Sequence, residues 1–297
     1  WIHGEKRPGL YGAISSFKKV LAITQTSKYT SFVFLNARQV FDQKLYVFPL
    51  DKYMHFALCQ SNIHLIWAYF FGPTKGEGHV YNSSDCFENF PFPSFMFTQN
   101  DLENKYNDYA YKLEILGKEY YQLRSRIMIE SNLGITKTYN KFHNPKCTDE
   151  GILKLRNLQE RIDNEIFKSY GWNDLCSNLG FKLDALNIEV NDNLVISDKV
   201  EAFFESGSVF FEDINEADFF NSEIVALGNR KKEIPWEYSF SNDVKEKLLG
   251  RLIELNQKRY LEEKSKPLKS KNKRISNKNK IKHLYSQTEQ NQLGFDL

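Results

Sequence analysis

The chain has 297 residues, 41% hydrophobic and 26% charged, with 24 Phe and 16 Tyr, enough for two modest domains or for one with helical additions. No run of about 18 uncharged apolar residues occurs, so no membrane-spanning helix is expected. Four scattered cysteines (Cys59, Cys86, Cys147, Cys176) without a CxxC pair argue for buried thiols in a reducing cytoplasm, against a zinc site or a disulfide frame.

The net charge of +2 conceals an asymmetry. Nine Lys and Arg fall between Lys264 and His283, where there is no acid, while residues 1–263 hold 31 basic against 36 acidic side chains. An acidic body does not exclude nucleic acid, because a local patch decides binding. Beginning at Trp1 with no charged-then-apolar leader, the sequence is expected to be part of a longer polypeptide.

Arg7-Pro8-Gly9-Leu10 breaks the chain before a short amphipathic helix reaching about Lys19. Three runs rich in Val, Ile, Phe and Tyr then read as strands: Val20–Thr26, Ser31–Asn36 and Val40–Pro49. Residues 53–70 place Phe56, Ala57, Ile63, Ile66, Trp67 and Phe70 at helical spacings, which predicts one helix ended by Gly72-Pro73. In 81–93, prolines 91 and 93 hold their neighbours extended, so the segment reads as an extended aromatic belt.

A helical pattern runs from Asp101 to Asn132, and Asp149 reads as the N-cap of a second helix to about Tyr170. The polar-aromatic stretch 136–145 reads as their connection, making a helical hairpin. Residues 177–235, acidic and Phe-rich, give no clear pattern. A last helix is expected over 242–263, then a disordered basic tail. The chain is thus read as α+β: a small mixed-sheet module (1–97), a helical hairpin (98–176), a mixed segment ending in a long helix (177–263) and the tail (264–297).

Catalytic chemistry is not visible. No Asn/Asp/Ser-Pro-Pro-aromatic loop is present to hold a target nitrogen, and no Pro-Asp with a following Glu/Asp-x-Lys to bind magnesium. Gly72 to Gly78 lacks the Gly-Lys-Ser/Thr ending of a phosphate loop. His55 and His64 are nine apart rather than four, and His143 with Cys147 lacks two further ligands. No metal site or catalytic residue is expected, and whether the chain is an enzyme stays open.

Groups suited to DNA are present. Lys18, Lys19, Lys28, Arg38 and Lys44 are candidates to neutralise phosphates, and Arg38, Gln39, Gln60 and Asn62 carry the forked groups that read base edges. Ser84 and Asp85 either cap a neighbouring helix or place a recognition loop. Taken singly, each is an ordinary surface residue; their density between strands in 24–44 is what draws notice.

Several phrases, in order, resemble one family. They are Arg7-Pro8-Gly9-Leu10-Tyr11, Val20 to Lys28, Phe56-Ala57-Leu58-Cys59-Gln60-Ser61, Tyr81 to Pro93, Leu133 to His143, Asp163 with Tyr170-Gly171-Trp172, and Leu255 to Tyr260. Together they look like the C-terminal target-recognition region of large adenine-specific DNA methyltransferases, those of type IIG-like restriction–modification enzymes and of phage-defence systems such as DISARM. The resemblance covers 1–175 and resumes at 236–263; residues 181–232 have only a loose counterpart and the Lys-rich tail has none.

The resemblance implies a division of labour. A catalytic domain not in this chain, with or without an attached endonuclease, would bind S-adenosylmethionine and methylate a flipped adenine, on the same or a separate polypeptide. The region here would bind double-stranded DNA and select the sequence, with no catalytic residue and no cofactor of its own. Lys28, Arg38, Gln39, Lys44, Gln60, Ser84 and Asp85 are its candidate DNA-binding residues. The alternative is an interaction scaffold within a phage-defence complex, with little DNA contact.

Overall fold

In a computed structural model, residues 7–75, 78–97, 107–185, 197–227 and 234–265 are described. The tail beyond Ser265, and the start of the expected 101–132 helix, lie outside the described residues. The fold is α+β, and it divides into two compact units that cut across the boundaries read from sequence. The first holds residues 7–60, 64–92 and 249–265 of those described, and the second 61–63 and 93–248.

The first unit begins with α1 (Pro8–Ile14), Pro8 occupying its first turn, where a missing N–H costs nothing. Strands β1 (Lys19–Thr24), β2 (Thr26–Ser27), β3 (Val33–Asn36) and β4 (Leu45–Phe48) follow. β1 is central, antiparallel to β3 and β4, with Leu21 opposite both Phe34 and Phe48. Val20 to Ile23 are all buried because both faces of β1 are covered. On one face Ile14, Val20, Ala37 and Phe41 cluster under α1 and the 37–44 crossover. On the other, Phe34 packs against Tyr53 and Phe56 of α2 (Tyr53–Gln60).

The expected single helix over 53–70 is two, α2 and α3 (Asn62–Phe71). The break has a tertiary cause: the Asn62 N–H donates to Asp163 Oδ1 at 2.9 Å, leaving the helical ladder. α3 leads to β5 (Thr74–Lys75) and β6 (Gly78–Val80), which with β2 form a second antiparallel sheet ordered β2-β6-β5. At Gly72 a Cβ would stand 2.7 Å from the Ala68 carbonyl oxygen, so only glycine fits there.

The 81–93 belt is extended only in its second part. Ser83–Glu88 form one wide π-helical turn, capped by Asn82, whose Oδ1 accepts from Ser84 N at 3.1 Å, and closed by Asn89 N to Ser84 O at 3.3 Å. Prolines restrict only adjacent residues, so Pro91 and Pro93 straighten Phe90 and Phe92 and leave 83–88 free to coil.

The second unit is built on α4 (Asn107–Glu130) and α6 (Glu150–Tyr170). Lys112 reaches Glu165 at one end, and Gly151 abuts Ile127 at the other, so the two run antiparallel. Asp149 caps α6 as expected, accepting from Gly151 and Ile152. The 136–145 connection is itself mostly helical, as α5 (Ile135–His143), burying Thr138, Tyr139 and Phe142 on one side. Its end is held by Arg156, a buried guanidinium that donates to the carbonyls of Phe142 (2.9 Å), Lys141 (3.1 Å), Asn144 (2.8 Å) and Cys147 (3.1 Å).

The described residues of 177–235, which gave no clear pattern, form β7 (Gly180–Asp184), α7 (Asp198–Ser206), β8 (Ser208–Phe211) and α8 (Ile214–Ala226), and β9 (Glu237–Ser239) comes just after them. The sheet order is β8-β7-β9, all antiparallel. Phe203 and Phe211 both pack on Phe220, and Phe220 on Trp236, whose indole donates to Asn221 Oδ1 at 3.0 Å. α9 (Asn242–Ser265) starts in this unit and ends in the first.

Two measurements check this packing. Replacing Arg156 with Leu strips four carbonyls of their donor and is expected to cost about 3 kcal/mol in urea denaturation. Asp163 is fully buried, and burial raises its carboxyl from 3.8 to about 7, against bonds from Asn62 and Gln159 that act to lower it. Its folded value thus lies above its unfolded one, so its contribution is complete below pH 3.8 and is lost as pH rises through 7. The stability difference between wild type and Asp163→Asn is expected to change across that window; a pH-independent difference would contradict the assignment.

Candidate nucleic-acid interface

At the end of β1 the chain turns at Gln25, and three segments meet there. Gln25 N donates to Lys44 O at 2.8 Å, its side-chain Nε2 donates to Gln43 O at 2.9 Å, and its carbonyl accepts from Tyr81 N at 2.8 Å. Of the residues singled out in the sequence, Lys44 takes part in these bonds through its carbonyl, Lys28 follows Gln25 just past β2, and Ser84 and Asp85 follow Tyr81 in the π-turn. Lys28 and Lys44 are exposed, and the Lys28 ammonium lies 5.2 Å from the Tyr29 ring centroid.

Arg38 and Gln39 sit at the opposite end of the same sheet, where Ala37 N donates to Lys18 O at 3.1 Å. The crossover 37–44 runs between the two ends, because β3 and β4 flank β1 in the same direction. Buried Ala37 and Phe41 pin it down, while Arg38, Gln39, Asp42, Gln43 and Lys44 face outward. Among the described residues the Arg38, Gln39, Gln43 and Lys44 side chains make no hydrogen bond or ion pair. The result is a fixed strap bearing free forked and cationic groups. Gln25, Gln43 and Asn82 were missed in the sequence, though Gln25 and Gln43 share the polar density of 24–44 that marked their neighbours.

Ser84 and Asp85 serve their own turn. Asp85 Oδ2 accepts from Asn82 Nδ2 at 2.8 Å and the Asp85 carbonyl accepts from the Trp67 indole at 3.1 Å, while Ser84 N is bound by Asn82. Gln60 has a different role from the one expected. It is 2% exposed, its Oε1 accepts from Phe32 N at 3.0 Å and its Nε2 donates to Thr30 O at 3.3 Å, so its amide is spent inside the fold. Asn62 is likewise committed, donating from N and Nδ2 to both Asp163 oxygens.

A separate aromatic enclosure in the same unit surrounds His64. Its Nε2 pairs with the Tyr81 hydroxyl at 2.9 Å, and its ring lies 4.7 Å from that of Phe90 and 5.6 Å from that of Phe92. Burial lowers His64 to about 3, so the imidazole is neutral. From α9, Asn256 Nδ2 donates to Asn89 O and Arg259 donates to Phe92 O at 2.6 Å, fixing the belt. Burial raises the Cys59 thiol strongly and Cys86 to about 11, which leaves neither a ready nucleophile. Among the described residues no group of three or more His, Cys, Asp or Glu is placed to hold a metal ion, and no helix is long and apolar enough to cross a membrane.

Replacing Gln60 with Leu removes the bonds to Phe32 N and Thr30 O and is expected to lower stability by about 1–2 kcal/mol in urea denaturation. Unchanged stability would contradict this structural role.

No family model matches the chain, and no curated protein matches it. Among solved structures the chain is weakly similar to the Type IIL restriction–modification enzyme MmeI, determined in complex with DNA, at 18% identity and a TM-score of 0.39. The similarity covers 52% of this chain and 19% of that one, so the chain spans about a fifth of the enzyme it resembles.

Proposed function

We propose that the chain is the non-catalytic target-recognition part of an N6-adenine DNA methyltransferase or restriction–modification enzyme of a phage-defence type. It gives sequence-specific binding of double-stranded DNA to an S-adenosylmethionine-dependent catalytic domain, which is carried on the same or a separate polypeptide. The observation that carries this reading is the strap, on which Arg38, Gln39, Gln43 and Lys44 are exposed and, among the described residues, make no side-chain hydrogen bond or ion pair.

Lys28 and Lys44 neutralise phosphates and set the register on the duplex, a contribution that is independent of sequence and weakened by salt. The Arg38 guanidinium is shaped to donate two bonds to guanine O6 and N7, and the Gln39 and Gln43 amides match the donor–acceptor pair of adenine in the major groove. Ser84 and Asp85 act indirectly, by holding the turn beside Gln25. Methyl transfer itself uses no residue of this chain.

Fluorescence anisotropy on duplex DNA tests the division of roles. Replacing Lys28 and Lys44 with Ala together is expected to weaken binding to all sequences about equally and to reduce the salt slope by about 2. Arg38→Ala is expected to cost about 1–3 kcal/mol on the preferred sequence and to relax that preference at one position. Absence of duplex binding by the full chain, both alone and with its methyltransferase partner, would sink the reading.

A further inference from the structure

The second unit carries an open cleft of about 560 Å³ along the outer seam of α4 and α6. Leu123, Leu153 and Leu158 form its apolar floor, and Leu153 is 40% exposed. Arg126, Lys154 and Arg161 stand around it with Glu119 as the lining's one carboxylate. Lys154 is paired with Glu150 at 2.6 Å, whereas Arg126 and Arg161 make no ion pair among the described residues.

The face continues beyond the cleft. On α4, Ile115, Glu119, Gln122, Arg126 and Ile129 recur at steps of four, three, four and three, a single stripe about 21 Å long. Its two ends are isoleucines, Ile115 at 40% and Ile129 at 79% exposure. Together with the leucines of the cleft they add apolar area to one face of α4, and covering that area would be favourable.

We propose that this seam is a docking groove for an acidic amphipathic helix of a partner protein. Two antiparallel helices with residues at three- and four-residue steps present the groove into which a third helix packs. The partner's apolar ridge would cover the three leucines and two isoleucines, and its flanking carboxylates would meet Arg126 and Arg161. Charge decides the sign of the partner, and the apolar floor decides against a nucleic-acid backbone, whose phosphates leave leucine and isoleucine wet. The groove lies wholly in the second unit and is independent of the strap.

The test uses two labelled synthetic peptides with Leu at helical spacing, one flanked by Glu and the other by Lys at the same positions. Anisotropy with the full chain at low salt is expected to favour the Glu peptide by at least about tenfold, and Arg126→Glu with Arg161→Glu to reverse the order. Both arginines are exposed, so the double variant is expected to melt within a few degrees of wild type. Should it fail to fold, Leu153→Asn replaces it, with an expected loss of at least about fivefold. Hydrogen exchange is expected to show protection at 119–126 and 153–161. Binding of neither peptide, an order that charge reversal leaves unchanged, protection elsewhere, or displacement of the peptide by a short DNA duplex would each overturn the proposal.

Discussion

A neutral imidazole sealed among aromatic rings sets the form of the first unit. His64 holds the Tyr81 hydroxyl on one nitrogen and lies within ring contact of Phe87, Phe90 and Phe92 from the 81–93 belt and of Phe32 from the segment before β3. Tyr81 in turn donates its backbone N–H to Gln25, the residue at which the strap is tied to β1. The outward-facing groups therefore inherit their rigidity from a dry aromatic centre. A base-reading side chain needs that rigidity, because each bond to a base edge depends on the placement of its backbone.

Two buried groups, His64 in the first unit and Asp163 in the second, respond to acid in opposite directions. His64 is depressed to about 3 by burial, so its contribution is present above its ordinary value near 6.5 and is lost as pH falls toward 3. Asp163 is raised to about 7, and the second unit loses its contribution as pH climbs from 3.8. Both are buried titratable groups with bonding partners. They are structural groups, whose cost is offset by the chain segments they hold: the belt for His64, the α2–α3 junction for Asp163.

Much of the fold was legible in the sequence because burial imposes period. The β1 run, the long α4 and α6 patterns and the Asp149 cap all declared themselves locally. What stayed hidden was set by distant partners. Nothing near Ser61 announces a helix break caused by a carboxylate 101 residues away. Residues 136–143 looked too polar for a helix until Arg156 supplied the donors that close it. The Phe-rich 203–220 stretch resisted reading because short strands and helices alternate there, and no one period lasts. At the candidate site, Arg38, Gln39 and Lys44 were chosen by residue type, and all three are exposed. Gln60 was chosen by the same logic and proved buried, since a forked amide satisfies a backbone as readily as a base. The phrases that carried the family resemblance largely fall on such holding residues, whereas the strap's free side chains can change without loss of packing.

On the proposed function, duplex DNA meets the strap and the Gln25 turn, and the aromatic belt gives support. Amide-resolved hydrogen exchange of the full chain, with and without bound duplex, tests it most directly. New protection is expected at 24–28, 38–44 and 82–84, with residues 86–92 unchanged. Protection confined to the belt, or absent from the whole first unit while DNA is bound, would contradict it.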